Sequence, residues 1–95
     1  MHNLPSLRKR IDRVDLHLLR LLNRRAQLAL RVGMIKRQRR QPVFDPRRER
    51  MLLRQIVTAN RGPLSKGSIH AIFQAILRQS RKLQATGGKH RRRSK

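Results

Sequence analysis

Apolar residues recur along the first third of the chain as Leu7, Ile11, Val14, Leu18, Leu21, Leu28, Val32 and Ile35. Their spacing alternates between four and three, the seam of a helix that packs lengthwise on other helices. The pattern predicts one helix over about residues 6–39, started by Ser6 as N-cap after Pro5. Asp12 and Asp15 fall in its early part, where carboxylates suit the positive end of the helix dipole. The seam is broken once, between Leu21 and Leu28, where Arg25 replaces the expected apolar side chain. Desolvating a guanidinium costs several kcal/mol unless it meets an anion. Arg25 therefore snorkels to the surface, pairs with one of the chain's few carboxylates, or receives an anionic ligand. Lys36 follows on the same side, beyond Val32. Gly33 weakens the helix by up to about 1 kcal/mol relative to alanine. It marks either a close approach by a neighbour or ligand, or a glycine that is merely tolerated.

A basic, proline-bounded connection, RQRRQPVFDP, covers residues 37–46. It ends on a strong helix start, Asp45 as cap with Pro46 at the first helical position. The second helix is expected over about residues 46–60, with Met51, Leu52, Ile56 and Val57 on one side and Asn60-Arg61-Gly62-Pro63 as its stop. A third helix, about residues 65–84, has Ser65 or Ser68 as cap and Ile69, Ile72, Phe73, Ile76, Leu77 and Leu83 as its apolar stripe. Ser80 and Gln84 continue that stripe with polar groups. From Ala85 the chain reads ATGGKHRRRSK, a basic tail of residues 85–95 with the composition of a disordered segment. Residues 1–84 form the expected domain.

Length turns this all-α reading into an assembly. A helix of about 33 residues spans roughly 50 Å, whereas a compact globule of this size has a radius of gyration near 13 Å. The chain cannot wrap such a helix by itself. The fold expected is three helices per chain, one long and two shorter, in an intertwined homodimeric helical bundle.

Charge changes the picture of the surface. Lys and Arg number 26 against four acids, a net charge of +22 in 95 residues. Such a field attracts polyanions and small anions, and it destabilises the compact state at low salt by self-repulsion. There is no cysteine, hence no disulfide or thiol chemistry, and the two phenylalanines are the only aromatic residues, too few for a base-stacking platform. Neither a signal-peptide pattern nor a transmembrane-length apolar run is present, so a cytoplasmic, membrane-free protein is expected.

The polar residues that intrude on apolar faces are Arg25, Lys36, Ser80 and Gln84, joined by Arg48 and Glu49 at the start of the second helix. The set holds cations and hydrogen-bond donors, with no nucleophile beside a base. The histidines at 2, 17, 70 and 90 lack metal-ligand spacing, and no glycine-rich phosphate loop occurs. No metal or other cofactor is expected. The collection suits a small polyanion whose negative charge is stabilised by fixed donors.

Three segments in order, LRKRIDRVDLHLLRLLNRRAQLALRVGMIKRQ, VFDPRRERMLL and IFQAILRQSRKLQ, resemble the all-helical class of chorismate mutase over Leu7 to Gln84. The pieces FDPRRERML and NRGPL look most like the mutase domain joined to the enzyme that opens the shikimate pathway. The resemblance implies an isomerase that rearranges chorismate to prephenate. It also implies one pocket containing Arg25, Val32, Lys36, Asp45, Arg48, Glu49, Ser80 and Gln84, with Arg8 reaching in from the other protomer. In that pocket the arginines would grip the two carboxylates of chorismate, assisted by Ser80. Lys36 and Gln84 would donate to the ether oxygen, and Glu49 would hold the ring hydroxyl.

Other readings stand beside this one. An isochorismate pyruvate lyase would use the same fold and cationic pocket; the Arg48-Glu49 pattern with Gln84 favours the mutase. A basic helical nucleic-acid-binding protein fits the charge. However, the connection from Asn60 to Ser65 is long for a helix-turn-helix, and the basic residues are spread around the helices. Non-specific adhesion to nucleic acid at low salt is expected in any case. Small mutases resembling this chain can associate with the first shikimate-pathway enzyme, for which the tail would be either a docking segment or a plain solvated extension. Related chains generally carry many more acids on their outer faces, so Arg24, Arg31, Arg47, Arg50 and Arg54 have few local partners for helical ion pairs.

Overall fold

The long seam becomes the long element. In the computed structural model, which describes residues 3–87, helix α1 runs Leu4–Gln38, α2 Pro46–Ala59 and α3 Lys66–Thr86, and no strand occurs among the described residues. α1 starts two residues before the predicted boundary because Asn3, not Ser6, is its cap. The Asn3 side chain accepts the backbone amide of Ser6 at 2.9 Å, which makes Ser6 the capped residue rather than the capping one. The predicted start of α2 holds, with Asp45 Oδ1 accepting from the Arg48 amide at 3.1 Å and Pro46 opening the helix. α2 stops at Ala59, one residue short of the expectation, with Asn60 as its C-cap. Of the two serines proposed as caps for α3, Ser65 does it, accepting from the Ser68 amide at 3.1 Å.

α3 runs two residues past the predicted end at Gln84. It stops at Gly87, whose φ of 66° is the left-handed conformation that glycine adopts without steric penalty, and whose amide donates to Leu83 O at 2.9 Å. The predicted tail at 85–95 is therefore helical at Ala85 and Thr86, and residues 88–95 lie outside the described part. The end of α3 is also held from α1, because Arg37 Nη1 donates to Gln84 O at 2.7 Å.

α3 packs against both α1 and α2. At Gly33 the α1 and α3 backbones come close. The glycine is buried, and a Cβ at that position would lie 2.9 Å from Gln84 Cα and 3.1 Å from Gln84 O. The absent side chain lets α3 settle backbone-on-backbone, so the glycine is a close approach by a neighbouring helix. Gly33→Ala should force the two helices apart. The overpacking cost of about 1–3 kcal/mol exceeds the roughly 1 kcal/mol that alanine gains as a helix former. A thermal midpoint lowered by a few degrees is expected; a raised midpoint would contradict the close contact.

The buried residues of α1 are Ala29 and Gly33, both in its second half. Among the described residues Ala29 and Leu77 are the buried apolar side chains, whereas the seam stays open along its whole length, from Ile11, Val14 and Leu18 at 57%, 63% and 50% exposed to Leu28 and Ile35 at 53% and 45%. The Cα radius of gyration is 16.5 Å and the longest dimension is 57 Å. A compact chain of this length would have a radius of about 13 Å. No helix among the described residues is long and apolar enough to cross a membrane.

Candidate active site

The three helices border a half-open cavity of about 390 Å³ beside the α1–α3 contact, within the size range of small-ligand sites. α1 contributes Arg25, Val32 and Lys36, spaced so that each lies one or two turns above the last on one face. The connection and the start of α2 contribute Asp45, Arg48 and Glu49, and α3 contributes Ser80 and Gln84. All eight of these pocket residues expected within one chain thus line a single space. Arg8 does not. It is exposed near the start of α1, 17 positions before Arg25, which is about 25 Å along a helix.

Arg25, Lys36, Glu49, Ser80 and Gln84 are each held by a hydrogen bond with another segment. Arg25, half-buried, donates from Nη1 to Ser80 Oγ at 2.5 Å, and Ser80 is the buried polar residue among the described residues. Of the three fates open to Arg25, surface snorkelling is thereby excluded. No carboxylate pairs with it either, since the ion pair found among the described residues joins Arg81 to Glu49. The guanidinium instead borders the cavity on one serine hydroxyl, with most of its five donors uncommitted to an anion. Lys36 Nζ donates to Val43 O at 2.8 Å and to Gln84 Oε1 at 3.4 Å. The first bond ties α1 to the connection before α2, and the second sets the lysine and glutamine side by side. Gln84 is consequently held at three points by α1: its side chain by Lys36, its carbonyl by Arg37, and its backbone against Gly33.

Arg81 completes the cavity wall, and the sequence reading missed it. Its Nη1 lies 2.5 and 2.6 Å from the two carboxylate oxygens of Glu49, and its guanidinium sits 4.9 Å from the centre of the Phe44 ring. A signal was present. Leu77, Ser80, Arg81 and Gln84 share one helical face at i, i+3, i+4 and i+7. Among neighbouring Arg78 and Lys82 the arginine passed for one more surface cation. The hydrophobic wall formed by Leu28, Ala29, Leu52 and Leu77 was also not singled out as pocket lining.

The cavity has four cationic side chains, Arg25, Lys36, Arg48 and Arg81, against the two carboxylates of Asp45 and Glu49. An excess of two positive charges in a partly apolar recess favours a small dianion. Among the described residues no group of three or more His, Cys, Asp and Glu side chains converges as metal ligands would.

A family model described as Chorismate mutase type II matches residues 7–85 of the chain. The chain belongs to that family. The match spans all three helices and therefore the whole wall of the cavity. Among curated relatives, the bifunctional chorismate mutase/prephenate dehydratase of Aquifex aeolicus is 48% identical over 61 residues, covering 64% of this chain and 17% of that protein. Its counterpart in Neisseria gonorrhoeae is 40% identical over 70 residues, covering 74% of this chain and 19% of that protein. The chain thus spans less than one fifth of the length of these relatives. Solved structures agree along nearly their full length. Chorismate mutase (Form II) from Thermus thermophilus superposes with a TM-score of 0.84 at 33% identity, over 85% of this chain and 92% of that one. Chorismate mutase from Helicobacter pylori, in complex with prephenate, superposes with a TM-score of 0.81 at 28% identity, over 90% and 93%.

Proposed function

We propose that this chain is a chorismate mutase that works as an intertwined homodimer. The observation that carries the reading is the cavity itself, with its two surplus positive charges and its row of fixed donors on a mutase-family scaffold. Chorismate is a dianion, and its rearrangement is pericyclic: the ether carbon–oxygen bond breaks as a carbon–carbon bond forms within the same molecule. No proton or electron has to move to or from the protein. The residues therefore need only fold the flexible substrate into a chair-like conformer and stabilise charge as it develops.

Arg25 and Arg48 bind the substrate carboxylates in bidentate fashion, with Ser80 orienting Arg25. Lys36 and Gln84 face the ether oxygen. Negative charge grows there as the bond stretches, so an ammonium at that point binds the transition state more tightly than the ground state. Gln84 has its amide oxygen turned to Lys36, which leaves the amide NH₂ as the donor. Glu49 accepts from the ring hydroxyl. Val32 packs against the substrate, and Asp45 fixes the start of α2 and with it Arg48.

The dimer reading is supported by the uncovered seam of α1 and by the position of Arg8. Two copies of α1 running antiparallel, with their two-fold axis near Leu16 and His17, would cover Ile11, Val14 and Leu18. The same arrangement would bring Arg8 of each chain to the level of Arg25 in the other. The +22 charge also gives non-specific adhesion to nucleic acid at low salt, lost steeply as salt rises.

The test offers chorismate and isochorismate to the purified chain in parallel and identifies the products. Prephenate from the first, with no pyruvate released from the second, is the expected result. Pyruvate from isochorismate as the main reaction would replace the mutase with a lyase.

A further inference from the structure

We infer that Arg81 is a positioning residue that aims Glu49 at the substrate's ring hydroxyl, and that Phe44 holds Arg81 in place to do so. The inference rests on the mutase reading above. Glu49 lies in the first turn of α2, where an unconstrained glutamate is drawn back toward the exposed amides and positive end of its own helix. Here it is drawn across to α3 instead, because Arg81 Nη1 bridges both carboxylate oxygens at 2.5 and 2.6 Å. Both partners are shielded, with side-chain exposures of 34% for Arg81 and 20% for Glu49.

The geometry leaves Glu49 free to act. A carboxylate accepts at about four lone-pair sites, and one bridging nitrogen leaves others for a ligand. Arg81 is itself restrained, since its guanidinium lies 4.9 Å from the centre of the Phe44 ring and is attracted to the face of the π system. Phe44 comes from the connection, Glu49 from α2 and Arg81 from α3, so the contact ties three segments together beside the cavity that Glu49 and Arg81 line. A hydroxyl placed elsewhere on the ring would miss an acceptor held this way. Arg81 thereby contributes to discrimination between substrates that differ in hydroxyl position.

The test compares the wild type with Arg81→Met, which keeps the aliphatic stem, and Arg81→Lys, which keeps the charge. Each is measured with chorismate and with the analogue that lacks the ring hydroxyl. For chorismate, Arg81→Met should raise KM roughly five- to tenfold, about the worth of one oriented hydrogen bond, with kcat changed far less. Calorimetric affinity for the deoxy analogue should match the wild type, and Arg81→Lys should recover part of the loss. In a Glu49→Gln background, Arg81→Met should add little, the non-additivity expected of residues acting as a unit. Equal losses for both ligands, or full additivity with Glu49→Gln, would overturn the role through Glu49. So would an unchanged KM for chorismate. A wild type that yields no prephenate defeats the mutase reading, whereas one that makes prephenate but binds chorismate no more tightly by calorimetry than the deoxy analogue defeats the role of Glu49 and Arg81 alone.

Discussion

Replacing Lys36 with alanine is expected to lower the turnover of chorismate by about 10²–10³-fold, the effect of removing one preorganised donor from a developing oxyanion. The chain should stay folded. Lys36 is linked to Val43 O and Gln84 Oε1, and losing a part-buried hydrogen bond costs about 1 kcal/mol. Far-UV circular dichroism should be unchanged and the thermal midpoint only slightly lower. The discriminating quantity is how the loss divides between kcat and KM. An interaction made mainly in the transition state lowers kcat, whereas one made equally with the bound substrate raises KM. Near-native kcat in a folded Lys36→Ala chain would remove the lysine from the chemical step.

The second large effect follows from the proposed sharing of each site between two chains. Arg25→Ala and Arg8→Ala should each abolish most activity when measured alone. Mixing the two after subunit exchange should restore it in part. A hybrid dimer has one site with Arg25 from one chain and Arg8 from the other, both intact, and a second site lacking both. With random exchange of equal amounts, half the dimers are hybrids, so activity should recover to about one quarter of wild type. No recovery despite confirmed exchange would mean that Arg8 does not serve its partner's cavity. The geometry within one chain gives it no other route, because it lies about 25 Å along α1 from Arg25.

Much of this architecture was legible because it rests on local rules. Heptad-like spacing marks α1, and the Asp45-Pro46 pair starts α2 within the exact turn where its cap forms. Arg25 was legible as an exception: a cation on an apolar seam has to be accounted for, and Ser80 on the opposite helix supplies only part of the account. Gly33 gave two readings until α3 was seen against it. What remained hidden depends on relations that spacing does not encode. Asn3 displaced Ser6 as cap because two good caps three residues apart compete, and the earlier one binds the amide of the later. α3 outran its predicted end because Arg37 from α1 and the left-handed Gly87 hold its last turn. Arg81 escaped notice because its partners, Phe44 and Glu49, lie on other segments, and a surplus of arginines disguises the one that matters.

The most direct test of the central claim is the fate of chorismate in the presence of the purified chain and of its Arg25→Ala variant, at physiological salt, with the product identified. Saturable formation of prephenate by the wild type, lost in the variant while the fold is kept, is the predicted result. A folded wild type that leaves chorismate unchanged, or a variant that converts it as fast as the wild type, would contradict the account of this cavity.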